Sequence, residues 1–299
     1  MHEACKTRTM PAIAYPVAVI AALIGGFGEV RGDELSGTLK RINERGTITI
    51  GHRDASVPFS FYDEGKRPVG YAIDLCNAVA ERIRSALKRP DLQVAYVLVT
   101  PQNRLSMVAE GKVDMECGST TNTLARQEQV DFSAITFTTG TRLLVRKAAG
   151  AREIEDLQGK SIGVVGGSTN EKAVKAMIDA GTLKDLRLVA FPGYAEAGAA
   201  LEGGRVDAVA TDDVILFGLL SRSPAKGELA VVGRLLTYDP YGIMLPRNDS
   251  SFRLVVNRTL ADLSRSGEIR RLHARWFDPV GVPLSPLLDA AFTLQALPE

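Results

Sequence analysis

The sequence predicts an α/β protein in which two lobes of similar topology face each other across a cleft. Two observations lead to this prediction. From Gly46 onward, short runs rich in β-branched residues alternate with segments of helical periodicity, and this alternation indicates strands connected by helices. In addition, the segment GKVD at 111–114 recurs as GRVD at 204–207, which indicates two units of related construction.

The individual elements follow from local periodicity. Residues 47–51 (TITIG) alternate as in a strand, whereas the apolar residues of 73–87 recur at intervals of three and four, as in a helix. The same reasoning predicts further strands at 94–99, 113–116, 135–137, 141–145, 161–165, 187–190, 206–211, 230–232 and 242–245. It predicts further helices at 102–110, 170–180, 194–202, 213–220, 250–265 and 268–276.

Each copy of the repeated segment follows a predicted helix and precedes a strand that ends in small polar residues. These strand ends are GSTT at 118–121 and TDD at 211–213. In open α/β sheets, ligands bind at the carboxyl ends of the strands. Two such ends facing each other would form a cleft that captures a small polar ligand by closure.

The composition is typical of a folded protein without a strong overall charge. The chain has 299 residues, 24% of them charged, and a formal net charge of +1, which argues against disorder and against a nucleic-acid partner. Lys6 and Arg8 precede an apolar run at 17–24 that is too short to span a membrane. Residues 1–32 are therefore predicted to be a secretory signal peptide, and the mature chain would be formally neutral.

The cysteines give no sign of a metal site. Cys5, Cys76 and Cys117 form neither a CxxC pair nor a cluster with histidines, so we expect no metal and no cofactor. Cys76 and Cys117 would remain in the exported chain, where the compartment is oxidising. The sequence leaves open whether they form a disulfide or stay as two buried thiols.

The first strand end carries groups suited to a carboxylate. Ser119 and Thr121 offer hydroxyl and backbone N–H groups, and Arg126 follows with a planar guanidinium. Arginine binds a carboxylate through two parallel charge-assisted hydrogen bonds. We therefore predict that these three residues bind a carboxylate of the ligand.

Groups in the second predicted lobe complement them. Residues 166–169 (GGST), which end at Thr169, connect a predicted strand to a predicted helix. Free N–H groups of such a turn can bind an anion, although many glycine turns have a purely structural role. Asp212 offers an acceptor of opposite sign. An amino acid requires donors for its α-carboxylate and an acceptor for its ammonium group, so the pattern predicts an amino-acid ligand.

Two more arginines bear on the ligand side chain. Arg53 follows the first predicted strand and Arg104 lies near the start of a predicted helix. Most arginines only solvate the surface, but a position at a strand end favours a role in the cleft. If both face the cleft, the positive charge exceeds what one carboxylate requires, and the surplus would match an acidic side chain.

Five longer segments are more specific than any of these short patterns: GHRDASVPFSFYD at 51–63, KRPDLQV at 88–94, QNR at 102–104, ECGSTTN at 116–122 and GTRLL at 140–144. They resemble segments of the bacterial extracellular solute-binding proteins that deliver polar amino acids to ABC importers. Within that family they are most similar to the members that bind glutamate and aspartate. The resemblance covers about residues 39–279.

This resemblance implies a type II periplasmic-binding-protein fold, with two hinge strands near Gly140 and Asp239. Lobe 1 would contain residues 33–139 and 240–299, including a C-terminal tail, and lobe 2 would contain residues 140–239. The implied function is capture of an acidic amino acid in the periplasm and its delivery to an inner-membrane ABC permease, without chemistry. The chain would act as a monomer.

The resemblance also implies roles for individual residues. The α-carboxylate would be bound by hydroxyl and guanidinium groups, those of Ser119, Thr121, Arg126 and Thr169. The ammonium group would meet Asp212, and the acidic side chain would meet Arg53 and Arg104. Tyr194, at the start of a predicted helix in lobe 2, would add a further ligand contact.

Two positions depart from the glutamate and aspartate binders. Pro101 stands where they have a serine, and Tyr194 stands where they have a histidine. Proline lacks both a hydroxyl and an N–H group, and tyrosine donates through its phenol without becoming cationic near neutral pH. A preference for another acidic ligand, or for an amide such as glutamine, therefore stays open.

Other functions remain as alternatives. Dehydratases and cell-wall lytic enzymes are similar over the same fold, and a cleft carboxylate such as Glu116 or Asp213 could act as a general acid or base. A serine hydrolase is disfavoured because no GxSxG occurs and only His52 and His273 follow the predicted signal peptide. A receptor-linked sensor would have the same sequence features as a carrier. We expect a carrier and not an enzyme.

Overall fold

The computed structural model describes residues 35–298, and the predicted signal peptide at 1–32 lies outside that range. The described strands are β1 Thr47–His52, β2 Ala55–Ser56, β3 Ser60–Tyr62, β4 Pro68–Val69, β5 Gln93–Leu98, β6 Met115–Glu116, β7 Val130–Phe132, β8 Phe137–Thr139, β9 Thr141–Arg146, β10 Ser161–Val165, β11 Arg187–Phe191, β12 Ala208–Asp212, β13 Leu229–Val232, β14 Asp239–Tyr241 and β15 Met244–Pro246. The described α-helices are α1 Gly37–Arg45, α2 Tyr71–Ala86, α3 Arg104–Ala109, α4 Leu124–Gln127, α5 Thr169–Asp179, α6 Tyr194–Glu202, α7 Asp213–Arg222, α8 Ser250–Arg265, α9 Glu268–Phe277 and α10 Pro286–Leu294. Within residues 35–298, no helix has the length and apolar character needed to cross a bilayer.

Two five-stranded sheets share one plan. The first has the order β5-β1-β6-β15-β7 and the second has the order β11-β10-β12-β9-β13. In each sheet, the three strands at one end are parallel and the other two are antiparallel to their neighbours. The inner strands β1 and β10 are almost entirely buried, which accounts for their continuous β-branched and small residues.

The repeated segment occupies equivalent places in the two sheets, directly before β6 and directly before β12. Asp114 accepts a hydrogen bond from the backbone N–H of Thr49 at 2.7 Å, and Asp207 accepts one from that of Ser161 at 2.9 Å. Each aspartate thus ties the loop before its own strand to the first half of the neighbouring inner strand. The repeat therefore marks a structural requirement shared by the two sheets, as well as the strands whose ends face the cleft.

The chain passes between the two sheets through the antiparallel pair β8 and β14. Thr139 pairs with Asp239, and Gly140 directly precedes β9 of the second sheet. A Cβ at Gly140 would overlap the backbone oxygen of Thr237, so only glycine permits this close approach. The proposed lobe limits at 139/140 and 239/240 fall within this crossing segment.

An aromatic cluster packs beneath the crossing. Phe59 contacts Phe137, Tyr241 and Phe277 with ring centroids 5.0–5.2 Å apart, within the range of favourable edge-to-face packing. Phe59 is buried together with these rings. It therefore belongs to the core that joins the crossing strands to α9.

Several element predictions need correction. The predicted strand at 113–116 is only β6, the strand at 242–245 begins two residues later as β15, and the strand at 135–137 is displaced to β8. Helices α1, α4 and α10 and the small sheet β2-β3-β4 were not predicted. Strands of two or three residues carry too little periodicity to detect. By contrast, α10 has a readable start, because Ser285 accepts from the N–H of Leu288 at 3.1 Å and a proline follows it.

The sequence left open whether the two cysteines of the exported chain form a disulfide, and the structure shows that they do. Cys76 of α2 and Cys117, just after β6, form a disulfide with Cα atoms 6.4 Å apart. Both residues are buried. The bond connects α2 to the segment that leads into residues 118–121.

Candidate functional site

Three buried arginines meet at one edge of the first sheet. Arg53 follows β1, Arg104 begins α3 and Arg126 lies in α4. Their exposed fractions are 1%, 3% and 9%, although arginine is almost never buried without a partner. The sequence predicted all three for the cleft, and the structure brings them together.

The loop after β6 holds two of these arginines. Arg104 Nη1 donates to the backbone oxygen of Ser119 at 3.2 Å and to Thr120 Oγ1 at 2.5 Å. Arg126 Nη1 donates to the backbone oxygen of Thr121 at 2.7 Å. Ser119 and Thr121 thus anchor guanidinium groups through their carbonyls, while their hydroxyl groups face the second sheet.

Two of the arginines have N–H donors without an acceptor, and two have charged forms that their surroundings disfavour. Within residues 35–298, Arg53 Nε and Nη1 and Arg104 Nε are buried without a hydrogen-bond partner. Burial, together with the charge of Arg104, lowers the pKa of Arg126 to about 10, and burial lowers the pKa of Arg53. Both effects disfavour the charged forms. An anion bound between these arginines would accept hydrogen bonds from the free donors and stabilise the charged guanidinium groups.

The second sheet contributes groups from the opposite side. Tyr194, at the start of α6, places its hydroxyl 3.5 Å from Ser119 Oγ, and its ring lies 5.5 Å from the guanidinium carbon of Arg53. Thr169, at the start of α5, places Oγ1 3.3 Å from Thr121 Oγ1. The predicted residues of the two lobes therefore contact each other directly, and the structure is a closed form.

Asp212 lies at the end of β12, as an acceptor on the second sheet. Its Oδ1 accepts from Asn170 Nδ2 at 3.0 Å, and its Oδ2 accepts from the hydroxyl of Tyr241. Burial, and next the charge of Asp239, raise the pKa of Asp212 to about 7, although the two donors oppose this rise. A cationic ligand group beside Asp212 would favour its ionised form.

Sequence reasoning missed Asn170 and Tyr241, which orient Asp212. Asn170 is 1% exposed, and it also donates to Thr141 Oγ1 at 2.8 Å. The signal for Asn170 was its place directly after the GGST turn, at the start of a helix. Tyr241 carried no comparable signal. It lies in β14, and it comes near Asp212 only because the chain leaves the second sheet at that strand.

The GGST turn has largely a structural role. The N–H groups of Gly166 and Ser168 donate to the backbone oxygens of Phe191 and Val165, and that of Gly167 donates to Glu171 Oε2 at 2.7 Å. Ser168 caps α5 by accepting from the N–H of Glu171 at 3.0 Å. Of the two roles that the sequence left open for this turn, the structural one therefore applies to residues 166–168, and Thr169 is the residue of the turn that faces the first sheet.

The two carboxylates considered for acid-base chemistry are both engaged. Asp213 accepts from Thr139 Oγ1 at 2.6 Å and from the N–H of Val214 at 2.7 Å. Glu116 is fully buried and accepts from Thr120 Oγ1 at 2.7 Å. Both contacts are structural: Asp213 ties α7 to the crossing strand β8, and Glu116 lies under the loop that carries the site.

Comparisons with known proteins agree with this geometry. The sequence profile of the bacterial extracellular solute-binding proteins, family 3, matches residues 48–279. The chain is 41% identical to an L-glutamate/L-aspartate-binding protein of Pseudomonas aeruginosa, over 87% of this chain and 85% of that protein. It is 37% identical to a glutamate/aspartate import solute-binding protein of Salmonella typhimurium, over 80% of this chain and 79% of that protein.

A solved structure supports the same fold. An ancestral arginine-binding protein bound to glutamine superposes with a TM-score of 0.68 and 31% identity, covering 78% of this chain and 98% of that chain. This likeness confirms the two-lobed periplasmic-binding-protein fold that the sequence predicted.

Proposed function

Because the chain belongs to the bacterial extracellular solute-binding proteins of family 3, we propose that it is the substrate-binding component of an ABC importer for an acidic amino acid, L-glutamate or L-aspartate. Two of its relatives are named as binding proteins for these two amino acids, and those names describe carriers, not enzymes. The chain would be exported to the periplasm by residues 1–32, act as a monomer and deliver its ligand to an inner-membrane permease.

One observation carries the choice of ligand: three buried arginines face a buried carboxylate across the contact between the two sheets. An acidic amino acid has two carboxylates and one ammonium group, which is the complement of this arrangement. Arg126, with the hydroxyl groups of Ser119, Thr121 and Thr169, binds the α-carboxylate. Asp212 binds the ammonium group.

The remaining residues bind the side chain of the ligand. The free donors of Arg53 and Arg104 would form charge-assisted hydrogen bonds with its carboxylate. Tyr194 packs on Arg53 and offers its phenol as a further donor. A neutral side chain would leave part of the positive charge of these buried guanidinium groups without a counter-charge, which is costly.

Closure of the lobes couples binding to delivery. Ligand bound to the arginines of the first lobe stabilises the closed form only through contacts that the second lobe adds. Those contacts come from Thr169, Tyr194 and Asp212. Closure also excludes water, so the charge-assisted hydrogen bonds act in a medium of low polarity. The closed form is then the state that a permease can distinguish from the empty, open one.

The test is calorimetric titration of the mature protein, refolded to remove carried-over ligand, with L-glutamate, L-aspartate, L-glutamine, L-asparagine and L-arginine. We expect binding of the acidic pair in the micromolar range, about 8 kcal/mol, and recovery of unchanged ligand. Arg126→Ala should abolish binding, whereas Arg187→Ala, which replaces an arginine of β11 outside the site, should not. Binding of the amides alone, or a chemically altered ligand, would contradict the proposal.

A further inference from the structure

Glu116 lies next to the arginine cluster, at the end of β6 and directly before the loop that carries Ser119 and Thr121. Its side chain is fully buried, its Oε2 accepts from Thr120, and its Oε1 has no hydrogen-bond partner within residues 35–298. A Cβ on Gly118 would overlap Glu116 Oε1 and lie 2.9 Å from Arg53 Cγ. The carboxylate is therefore wedged beside Arg53, and its charge also favours the protonated forms of Arg53 and Arg126.

Thr120 connects this carboxylate to the third arginine. Its hydroxyl accepts from Arg104 Nη1 at 2.5 Å and lies 2.7 Å from Glu116 Oε2. A guanidinium can only donate, so the single hydroxyl proton of Thr120 is directed to Glu116. The chain Arg104 to Thr120 to Glu116 thus has one defined polarity, and it fixes Arg104 Nη1 within the loop, while Arg104 Nε stays without a partner.

The charges of the cluster on the first sheet match a dicarboxylate. Arg53, Arg104 and Arg126 are positive, and Glu116, when ionised, is negative. This cluster then carries two net positive charges, which the two carboxylates of glutamate or aspartate neutralise. Glutamine has only one carboxylate, and it would leave one buried positive charge uncompensated.

We propose that Thr120 is the positioning residue that makes the cleft select a side-chain carboxylate over the matching amide, and that Glu116 sets the buried charge and thereby limits this selectivity. Thr120 orients Arg104 toward the side-chain carboxylate of the ligand. Glu116 lowers the positive charge of the cluster to the amount that the α-carboxylate and the side-chain carboxylate of the ligand together neutralise. This inference rests on the proposed function and deepens it. Neither residue contacts the ligand in the roles given above.

The experiment measures the ratio of the dissociation constants for L-glutamine and L-glutamate in the wild-type protein and in variants. Thr120→Val keeps the shape of the side chain but breaks the connection to Arg104, so the ratio should fall about tenfold or more, the range of a charge-assisted hydrogen bond. Thr120→Ser restores the hydroxyl and should return the ratio to within about threefold of wild type. Thr259→Val is the matched control, because Thr259 is also buried but bonds only within α8.

Glu116→Gln provides the second, independent arm. The glutamine oxygen can still accept from Thr120, so Arg104 stays oriented, but one buried negative charge is lost. The ratio should therefore rise, opposite in direction to Thr120→Val, and a merely structural role for the pair would not separate the two variants in this way. Thermal unfolding of each variant confirms that it is folded.

The outcomes distinguish this inference from the proposed function. If the wild-type protein binds neither glutamate nor aspartate, the proposed function itself fails. If it binds them and folded Thr120→Val retains the wild-type ratio, the proposed function stands and the assignment of Thr120 as the positioning residue is wrong. A Glu116→Gln ratio that falls together with that of Thr120→Val would also overturn the charge argument.

Discussion

If Asp212 binds the ammonium group as proposed, its protonation sets the pH range of binding. Its pKa of about 7 means that the free protein carries the neutral form in mildly acidic solution. A ligand ammonium group requires the ionised form, so binding below pH 7 must release a proton. The raised pKa also affects folding: because folded Asp212 holds its proton more tightly than the unfolded chain does, the free protein loses stability as the pH rises from about 4 to about 7.

We therefore expect the affinity for glutamate to rise as the pH increases to about 7 and then to level off. Each pH unit below 7 should weaken binding by up to about tenfold. Calorimetry in buffers of different ionisation enthalpy should count close to one proton released at pH 5.5 and none at pH 8.5. Asp212→Asn should bind more weakly and show no such slope. A slope that persists in Asp212→Asn would assign the proton to another group.

Gly118 is a second residue at which a small change should have a large effect. A methyl group there would overlap Glu116 Oε1 and press on Arg53 Cγ, and both atoms are too well packed to move freely. Gly118→Ala should lower glutamate affinity by roughly tenfold or more and destabilise the protein by about 1–3 kcal/mol. Gly227→Ala is the control, since nothing lies within 4 Å of that added methyl group. Equal behaviour of the two variants would contradict the packing argument.

At this scale, the sequence indicates the proposed ligand contacts more readily than their supports. Asp212 could be singled out because it ends a strand, and Arg126 because it follows the polar residues 118–121 with a planar guanidinium. Tyr241 and Thr120 could not, since their importance depends on which charged group they touch. That pairing is decided by long-range packing, which a single sequence does not display.

Among the elements, the disulfide between α2 and the end of β6 has a direct bearing on the site. Cys117 lies between Glu116 and Gly118, so the bond holds the start of the loop that binds Arg104 and Arg126. It joins residues 41 positions apart, and in the chain-entropy description a loop of that length contributes about 4 kcal/mol to stability.

The double variant Cys76→Ala, Cys117→Ala should therefore lose up to about 4 kcal/mol of unfolding free energy. We also expect its glutamate affinity to fall, because the loop carrying Ser119 and Thr121 loses its attachment to α2. Denaturant unfolding and calorimetry measure the two effects. Treatment of the wild-type protein with a reductant under partly denaturing conditions should reproduce both. Unchanged affinity in a destabilised variant would limit the disulfide to a purely structural role.

The elements also show why part of the fold could be predicted. Three elements begin and end as predicted: the amphipathic helices α6 and α8 and the inner strand β10. In each of them, the pattern of apolar residues continues without interruption from end to end. The strands that build the crossing, β8 and β14, have three residues each. Their pairing depends on the relative placement of two sheets, and the family resemblance, not local periodicity, indicated where the crossing would be.

For the whole molecule, the balance between open and closed forms depends on contacts that bridge the sheets without touching the ligand. Gln102 is such a residue: its Nε2 donates to the backbone oxygen of Gly166 at 2.7 Å and to that of Pro192 at 3.4 Å. It lies beside Pro101, whose backbone oxygen is 3.4 Å from the place where a Cβ of Gly167 would be. The two sheets therefore approach closely at this point, and Gln102 stabilises only the closed form.

Gln102→Ala should therefore weaken the binding of glutamate and aspartate by the same factor, roughly three- to tenfold, which is the net contribution of one or two hydrogen bonds. The selectivity between them should stay constant, since the variant changes the closing equilibrium and leaves the ligand contacts in place. Small-angle scattering should show that the variant needs a higher concentration of ligand than the wild-type protein to reach the compact closed form, with equal radii of gyration at saturating ligand. Gln295→Ala removes a hydrogen bond from Gln295 Nε2 to the backbone oxygen of Ala291, at the end of α10, and should change neither quantity. A change in selectivity, or closure of both proteins at the same ligand concentration, would show that Gln102 does not act on the closure of the two lobes.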